Sequence, residues 1–121
     1  MKNSNYNIPV SITPQKIANL LDLALEQGST YWIGTLDTQG DSEFDTLKVV
    51  NGESKWLILE AEEASRVSSW HGLNTASITR GLTLLAEHAP VRFALVLEDD
   101  ADAEDADVWL QYALLGEVIY G

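Results

Sequence analysis

The chain has 121 residues, with 19 acids against 7 bases for a net charge of −12, and 45% of its residues are apolar. That length suits one ordinary domain, and the apolar share is too high for a disordered chain. The charge excludes a basic footprint for nucleic-acid phosphates and disfavours anionic membranes, and the lack of cysteine removes disulfides, thiolate nucleophiles and Cys-based zinc sites.

Residues 1–9 are polar and Asn-rich, and read as a flexible arm or short edge strand rather than a signal peptide. No apolar run reaches the 18 residues of a membrane span, so a cytoplasmic protein is expected. Thr13-Pro14 opens a first helix, with Thr13 as its cap and Pro14 at a position that needs no N–H. Ile17, Leu20, Leu21, Ala24 and Leu25 form its apolar stripe, and Gly28 is placed to end it. Ser29 to Leu36 is aromatic and β-branched, and predicts a strand. Glu43–Val50 and Glu53–Glu60 read as two more strands, joined by a type I′ turn at Asn51-Gly52. Apolar residues on both faces of Trp56–Glu60 make that strand central.

Ala61 to Leu73 reads as a loop with room for a short strand. Asn74 or Thr75 caps a second helix, whose inner stripe is Ile78, Leu82, Leu85 and Ala89. Pro90 ends it, and Val91–Leu97 fits a further short helix or a strand equally well. Asp102 and Asp105 resemble a cap and an acidic first turn for a helix over Ala103–Leu115. That helix is apolar nearly all round, so it should be the buried central one, ending at Gly116. Glu117–Tyr120 completes the pattern as a short last strand. The expected fold is α+β over residues 10–121: a three- or four-stranded, mainly antiparallel sheet packed by about three helices.

Glu98, Asp99, Asp100, Asp102, Glu104, Asp105 and Asp107 place seven carboxylates in ten residues. A calcium loop begun at Asp100 sets Asp102 and Glu104 correctly, but its sixth position is Asp105 and its twelfth Gln111, so both diagnostic positions fail. A capped helix start accounts for Asp102 to Asp107 but less well for Glu98 to Asp100, whose mutual repulsion favours a basic partner. Glu60, Glu62, Glu63 and an exposed Trp70 are added to this expected partner-binding set. Gln111 is the one polar side chain from Val108 to Leu115 and should make a structural hydrogen bond to backbone, for which the Gly28–Tyr31 turn is a candidate. Ser68, Ser69 and His71 could be drafted as a catalytic set, but no nucleophile elbow, phosphate loop or paired-histidine motif accompanies them, so no enzyme, cofactor or metal site is expected.

Two segments carry a resemblance. Ser11-Ile12-Thr13-Pro14, Ile17-Ala18-Asn19-Leu20-Leu21 and Glu26-Gln27-Gly28-Ser29-Thr30-Tyr31-Trp32 form the first. Asp102-Ala103-Glu104, Ala106-Asp107-Val108, Leu110-Gln111, Ala113-Leu114, Gly116-Glu117 and Tyr120-Gly121 form the second. Together they resemble a family of small phage and prophage proteins that reads E-G-G-S-N-Y-W and D-A-x-T-A-D-V-x-L-Q-x-A-L-x-G-E-x-x-Y-G at these places. Gln27, Thr30 and Asp105 depart from that pattern, and Ile33–Asn74 is outside it. The resemblance implies a mobile-element origin and no particular reaction. By gene-class analogy it implies an inhibitor of host defence or of a nucleic-acid-binding host protein. Two other classes remain open: a small-ligand or nucleotide-signal binder lined by Tyr31, Trp32 and Trp70, with Arg66, Arg80 or Arg92 gathered for the anion, and a metal-dependent hydrolase. Either a monomer or a homodimer fits the apolar last helix.

Overall fold

A computed structural model describes residues 10–61 and 69–121. The expected arm at 1–9, together with Glu62, Glu63, Arg66 and Ser68, lies outside the described residues. Among the described residues the order is α1 (Pro14–Leu23), a π-helical turn (Ala24–Gly28), β1 (Ile33–Asp37), α2 (Thr46–Val50), β2 (Trp56–Glu60), β3 (Trp70–Leu73), α3 (Thr75–His88), α4 (Pro90–Leu97) and α5 (Ala103–Leu115). The sheet is antiparallel in the order β1-β2-β3, so β2 is central, as its two apolar faces predict. Trp56, Ile58 and Glu60 point to the core while Leu57 and Leu59 are half-buried. The fold is α+β, with five α-helices among the described residues instead of about three.

The caps read from sequence are present. The Thr13 hydroxyl accepts from the Lys16 amide at 3.3 Å. Asn74 and Ser77 close a reciprocal capping box on α3, and Asp102 and Asp105 do the same on α5. α5 is the central element: Ala106, Trp109, Leu110, Ala113 and Leu114 are buried in the core, with Leu21, Trp32, Ile58 and Leu85 among their companions. α3 lies close against it at Gly81, where a Cβ would stand 2.7 Å from that of Ala113.

Four expectations are overturned. Glu43–Val50 is not a strand; its second half is α2, capped by Asp45 through the Leu47 amide at 3.1 Å. Asn51-Gly52 is therefore a helix end and not a hairpin. Gly52 has φ +79°, its amide donates to Val49 at 3.1 Å, and the Glu53 amide donates to Lys48 at 2.8 Å. A Schellman cap and a type I′ turn both call for glycine at positive φ, which is why the dipeptide misleads. The strand expected from Ser29 begins only at Ile33, because Trp32 and Ile33 both turn back to the Ser29 carbonyl at 3.2 Å. Lastly, Glu117–Tyr120 forms no strand.

Gly28 serves a purpose other than the one its position suggests. α1 runs on into the π turn, closed by the Ser29 amide on Ala24 at 2.8 Å. A Cβ at Gly28 would fall 2.1 Å from the Ala103 carbonyl oxygen. Glycine here permits the first turn of α5 to rest against the chain, which brings Asp107 over the Ser29–Trp32 turn.

Candidate functional site

Asp107 and Gln111 are four residues apart on α5 and so share one face. The Ser29–Trp32 turn supplies what faces them. In a strand Tyr31 and Trp32 would point to opposite sides. The turn instead directs Ser29, Tyr31 and Trp32 to one carboxylate. Asp107 Oδ1 accepts from Ser29 Oγ and Trp32 Nε1, each at 2.8 Å. Oδ2 accepts from Tyr31 Oη at 2.7 Å and Gln111 Nε2 at 3.2 Å. Asp107 is 7% exposed, and all four partners are neutral.

Gln111 is fully buried and binds backbone, as its isolation on an apolar helix predicts, but the backbone is that of the C-terminal tail. Its Oε1 accepts from the Ile119 and Tyr120 amides, both at 2.8 Å, and Nε2 donates to the Tyr120 carbonyl at 3.1 Å. The tail thereby places the Tyr120 ring on Trp32, with centroids 5.7 Å apart and planes at 18°. Tyr120 Oη reaches Glu60 Oε1, and Glu60 Oε2 meets His71 Nε2 at 2.9 Å. A polar chain, buried at α5 and partly buried beyond it, therefore runs from α5 through the tail to the sheet.

The Tyr31 hydroxyl is pushed up to about 12, first by burial, then by its hydrogen bond to Asp107 and by that residue's charge, with Gln111 acting in the opposite direction. Tyr31 as a whole remains 51% exposed and lines an open cleft of about 580 Å³. Glu104 and Arg92 stand in the cleft wall, Asp107 reaches it from below, and Val118 and Tyr120 close the tail side. Arg92 is pinned between Glu104 at 2.9 Å and Asp105 at 2.6 Å.

The expected carboxylate face divides in two. Glu98, Asp99, Asp100, Asp102 and Glu104 are exposed around the α4–α5 corner. Asp105 is turned inward to Arg92 and the Asp102 amide, and Glu60 and Asp107 are buried as above, so none of these three is available to a partner's surface. The corner is rigidly made: Asp99 adopts φ +59°, and the Asp99 and Asp100 amides close α4 on Val96 and Leu95 at 3.1 and 2.8 Å. Lys16 Nζ adds a cation at this helix end, 2.8 Å from the Leu97 carbonyl. Asp102 is held below the usual carboxylate range chiefly by the Asp105 amide.

Trp70 is exposed on β3, while Trp32, Trp56 and Trp109 are core. Trp32, Tyr31 and Trp70 do not line one pocket: Tyr31 lines the cleft, Trp32 is fully buried in the core, and Trp70 borders a separate groove with His71 and Arg80. Arg80 is committed to the Ala113 carbonyl. His88 stacks on Tyr112 at 5.8 Å and takes no part in the His71 pair. Among the described residues no three histidine or carboxylate side chains converge to hold a metal ion. The sequence reading misses the four-donor assembly on Asp107; its signal is the polar pair Asp107 and Gln111 at helical spacing on a helix that is otherwise apolar after its acidic first turn. Comparison with protein families, curated proteins and solved structures yields no match for the chain.

Proposed function

We propose that this chain is a non-enzymatic acidic binding protein of phage or prophage origin, which inhibits a host defence or nucleic-acid-binding protein by occupying its basic surface. The observation that carries the reading is the exposed corner of Glu98, Asp99 and Asp100, fixed between two helices, where none of the three forms a salt bridge among the described residues and Lys16, bound to the Leu97 carbonyl, is the neighbouring cation. Asp99 holds the left-handed position at φ +59° that ends α4, and the Asp99 and Asp100 amides fix the corner's backbone on Val96 and Leu95. Like charges packed this densely repel, and a basic partner turns that repulsion into affinity. Trp70, at 46% exposure, offers a separate apolar contact.

The nucleotide-signal reading has weaker support, since Arg80 and Arg92 border different hollows and each is already bound within the protein. The hydrolase reading gains no assembled ligand set from the described residues.

The test is capture from host lysate at low salt by the wild type and by Glu98→Gln/Asp99→Asn/Asp100→Asn. A basic protein should be held by the wild type, released as ionic strength rises, and lost in the triple variant. Equal capture by both proteins would refute the assignment to this corner.

A further inference from the structure

Asp107 has an unusual electrostatic position. Four neutral donors satisfy its two oxygens, so its hydrogen bonding is complete while its charge meets no cation among the described residues. Such a charge, screened little by water, projects its field into the adjoining cleft. Arg92 does not cancel it, because its guanidinium is shared by Glu104 and Asp105. One cation against Asp107, Glu104 and Asp105 leaves two negative charges in excess. The Tyr31 hydroxyl donates its hydrogen bond to Asp107 and accepts a long one, at 3.4 Å, from Gln111 Nε2, so toward the cleft its oxygen has only a remaining lone pair to offer, as an acceptor. Polarisation by the carboxylate strengthens that acceptor. Glu104, 74% exposed, supplies a second acceptor at the rim. Half-exposed Tyr31 offers a π face, and Val118, 43% exposed, offers apolar surface for a methylene stem. The volume of about 580 Å³ lies within the range of ordinary ligand sites.

We infer that this cleft receives a single protruding lysine or arginine side chain of the basic partner, its charged head between Tyr31 Oη and Glu104 and its stem along Val118. The inference rests on the proposed function for its partner but names a second contact, distinct from the α4–α5 corner. The cleft reads one side chain by shape, whereas the corner attracts positive charge without regard to its arrangement. An anionic ligand is disfavoured here by the same field.

The probes are Nα-acetyl-lysine methylamide and Nα-acetyl-arginine methylamide, with Nα-acetyl-norleucine methylamide as the uncharged control, followed by two-dimensional amide NMR of the whole chain. The cationic probes should give saturable shifts at Gly28, Tyr31, Val108 and Val118, with Kd on the order of 1 mM. Glu104→Gln alters an exposed side chain and should weaken binding about threefold; Tyr31→Phe should weaken it about tenfold. The corner variant Glu98→Gln/Asp99→Asn/Asp100→Asn should leave the probe's Kd unchanged even where lysate capture is lost. Shifts confined to the corner, or equal binding of the norleucine control, would overturn the inference. Capture of a basic protein with no probe binding by the wild type would overturn the cleft assignment and leave the corner standing.

Discussion

Gln111 Nε2 lies 3.2 Å from Asp107 Oδ2, and the same amide group grips the backbone of Tyr120 on both sides. One helical turn of α5 thus joins two tasks: Asp107 gathers the Ser29–Trp32 turn, and Gln111 gathers the tail. The two halves of the network depend on each other, which makes both residues sensitive to replacement.

Asp107→Ala should remove the common acceptor of four donors, of which Ser29 and Trp32 are fully buried. Stranding such groups costs about 1–3 kcal/mol each, relieved where water enters, so a net loss of about 3–4 kcal/mol is expected. Urea unfolding measures it. A loss below about 1 kcal/mol would mean that the network contributes little to stability.

Gln111→Leu should free the tail while leaving the helix core filled. The Ile119 and Tyr120 amides, each bonded to Oε1 at 2.8 Å, would exchange with solvent far faster. Hydrogen exchange resolves this residue by residue. Gln111→Glu sets a second carboxylate beside Asp107, raising the folded-state value of one of the pair. Stability of that variant should be best in acid and fall as pH rises, opposite in sign to the usual carboxylate case.

Tyr31 should ionise near pH 12, two units above its ordinary value, in a spectrophotometric titration. Because the folded value is raised, the neutral hydroxyl favours the native state. That stabilisation is present below the unfolded value of about 10 and disappears as pH climbs through 12. Asp107→Asn should bring the value down, since both the hydrogen bond to a carboxylate and the charge are lost. An unchanged titration would leave burial as the whole cause.

Acid should act through Asp102 and Asp41. Both are held below the usual range, Asp102 by the Asp105 amide and Asp41 by Trp56 Nε1 at 2.8 Å. Their contribution is present above a pH of about 4 and is lost as pH falls through the folded values. Asp102→Asn can still cap α5, so it should be nearly as stable as wild type at neutral pH and show a flatter acid limb in pH-dependent melts.

Asp99→Gly and Gly28→Ala should act in opposite directions. Glycine relieves the left-handed strain at position 99 and should stabilise by about 0.5–1 kcal/mol, while partner capture weakens. Alanine at 28 would drive its Cβ to 2.1 Å from the Ala103 oxygen and displace α5 from the turn. A loss of about 1–3 kcal/mol is expected, seen as a lowered Tm.

Sequence determined the features governed by neighbours along the chain. Thr13, Asn74 and Asp102 cap the helices they were expected to cap, and the aperiodic apolar run of Ala103–Leu115 became the central helix. The isolation of Gln111 told that it must bind backbone, since a buried amide cannot remain unpaired. Tertiary structure decided the rest. Glu43–Val50 has the composition of a strand, yet its Asp45 cap and its packing against α1 make its second half a helix. Seven clustered carboxylates look alike in the sequence, but Asp105 and Asp107 lie within the fold and Glu98, Asp99 and Asp100 lie outside it. The physical reason is distance. Tyr31 and Asp107 are 76 residues apart and meet only when the π turn and Gly28 let α5 close on the Ser29–Trp32 turn. Local spacing records what a helix face contains, and only the packed chain records what that face meets.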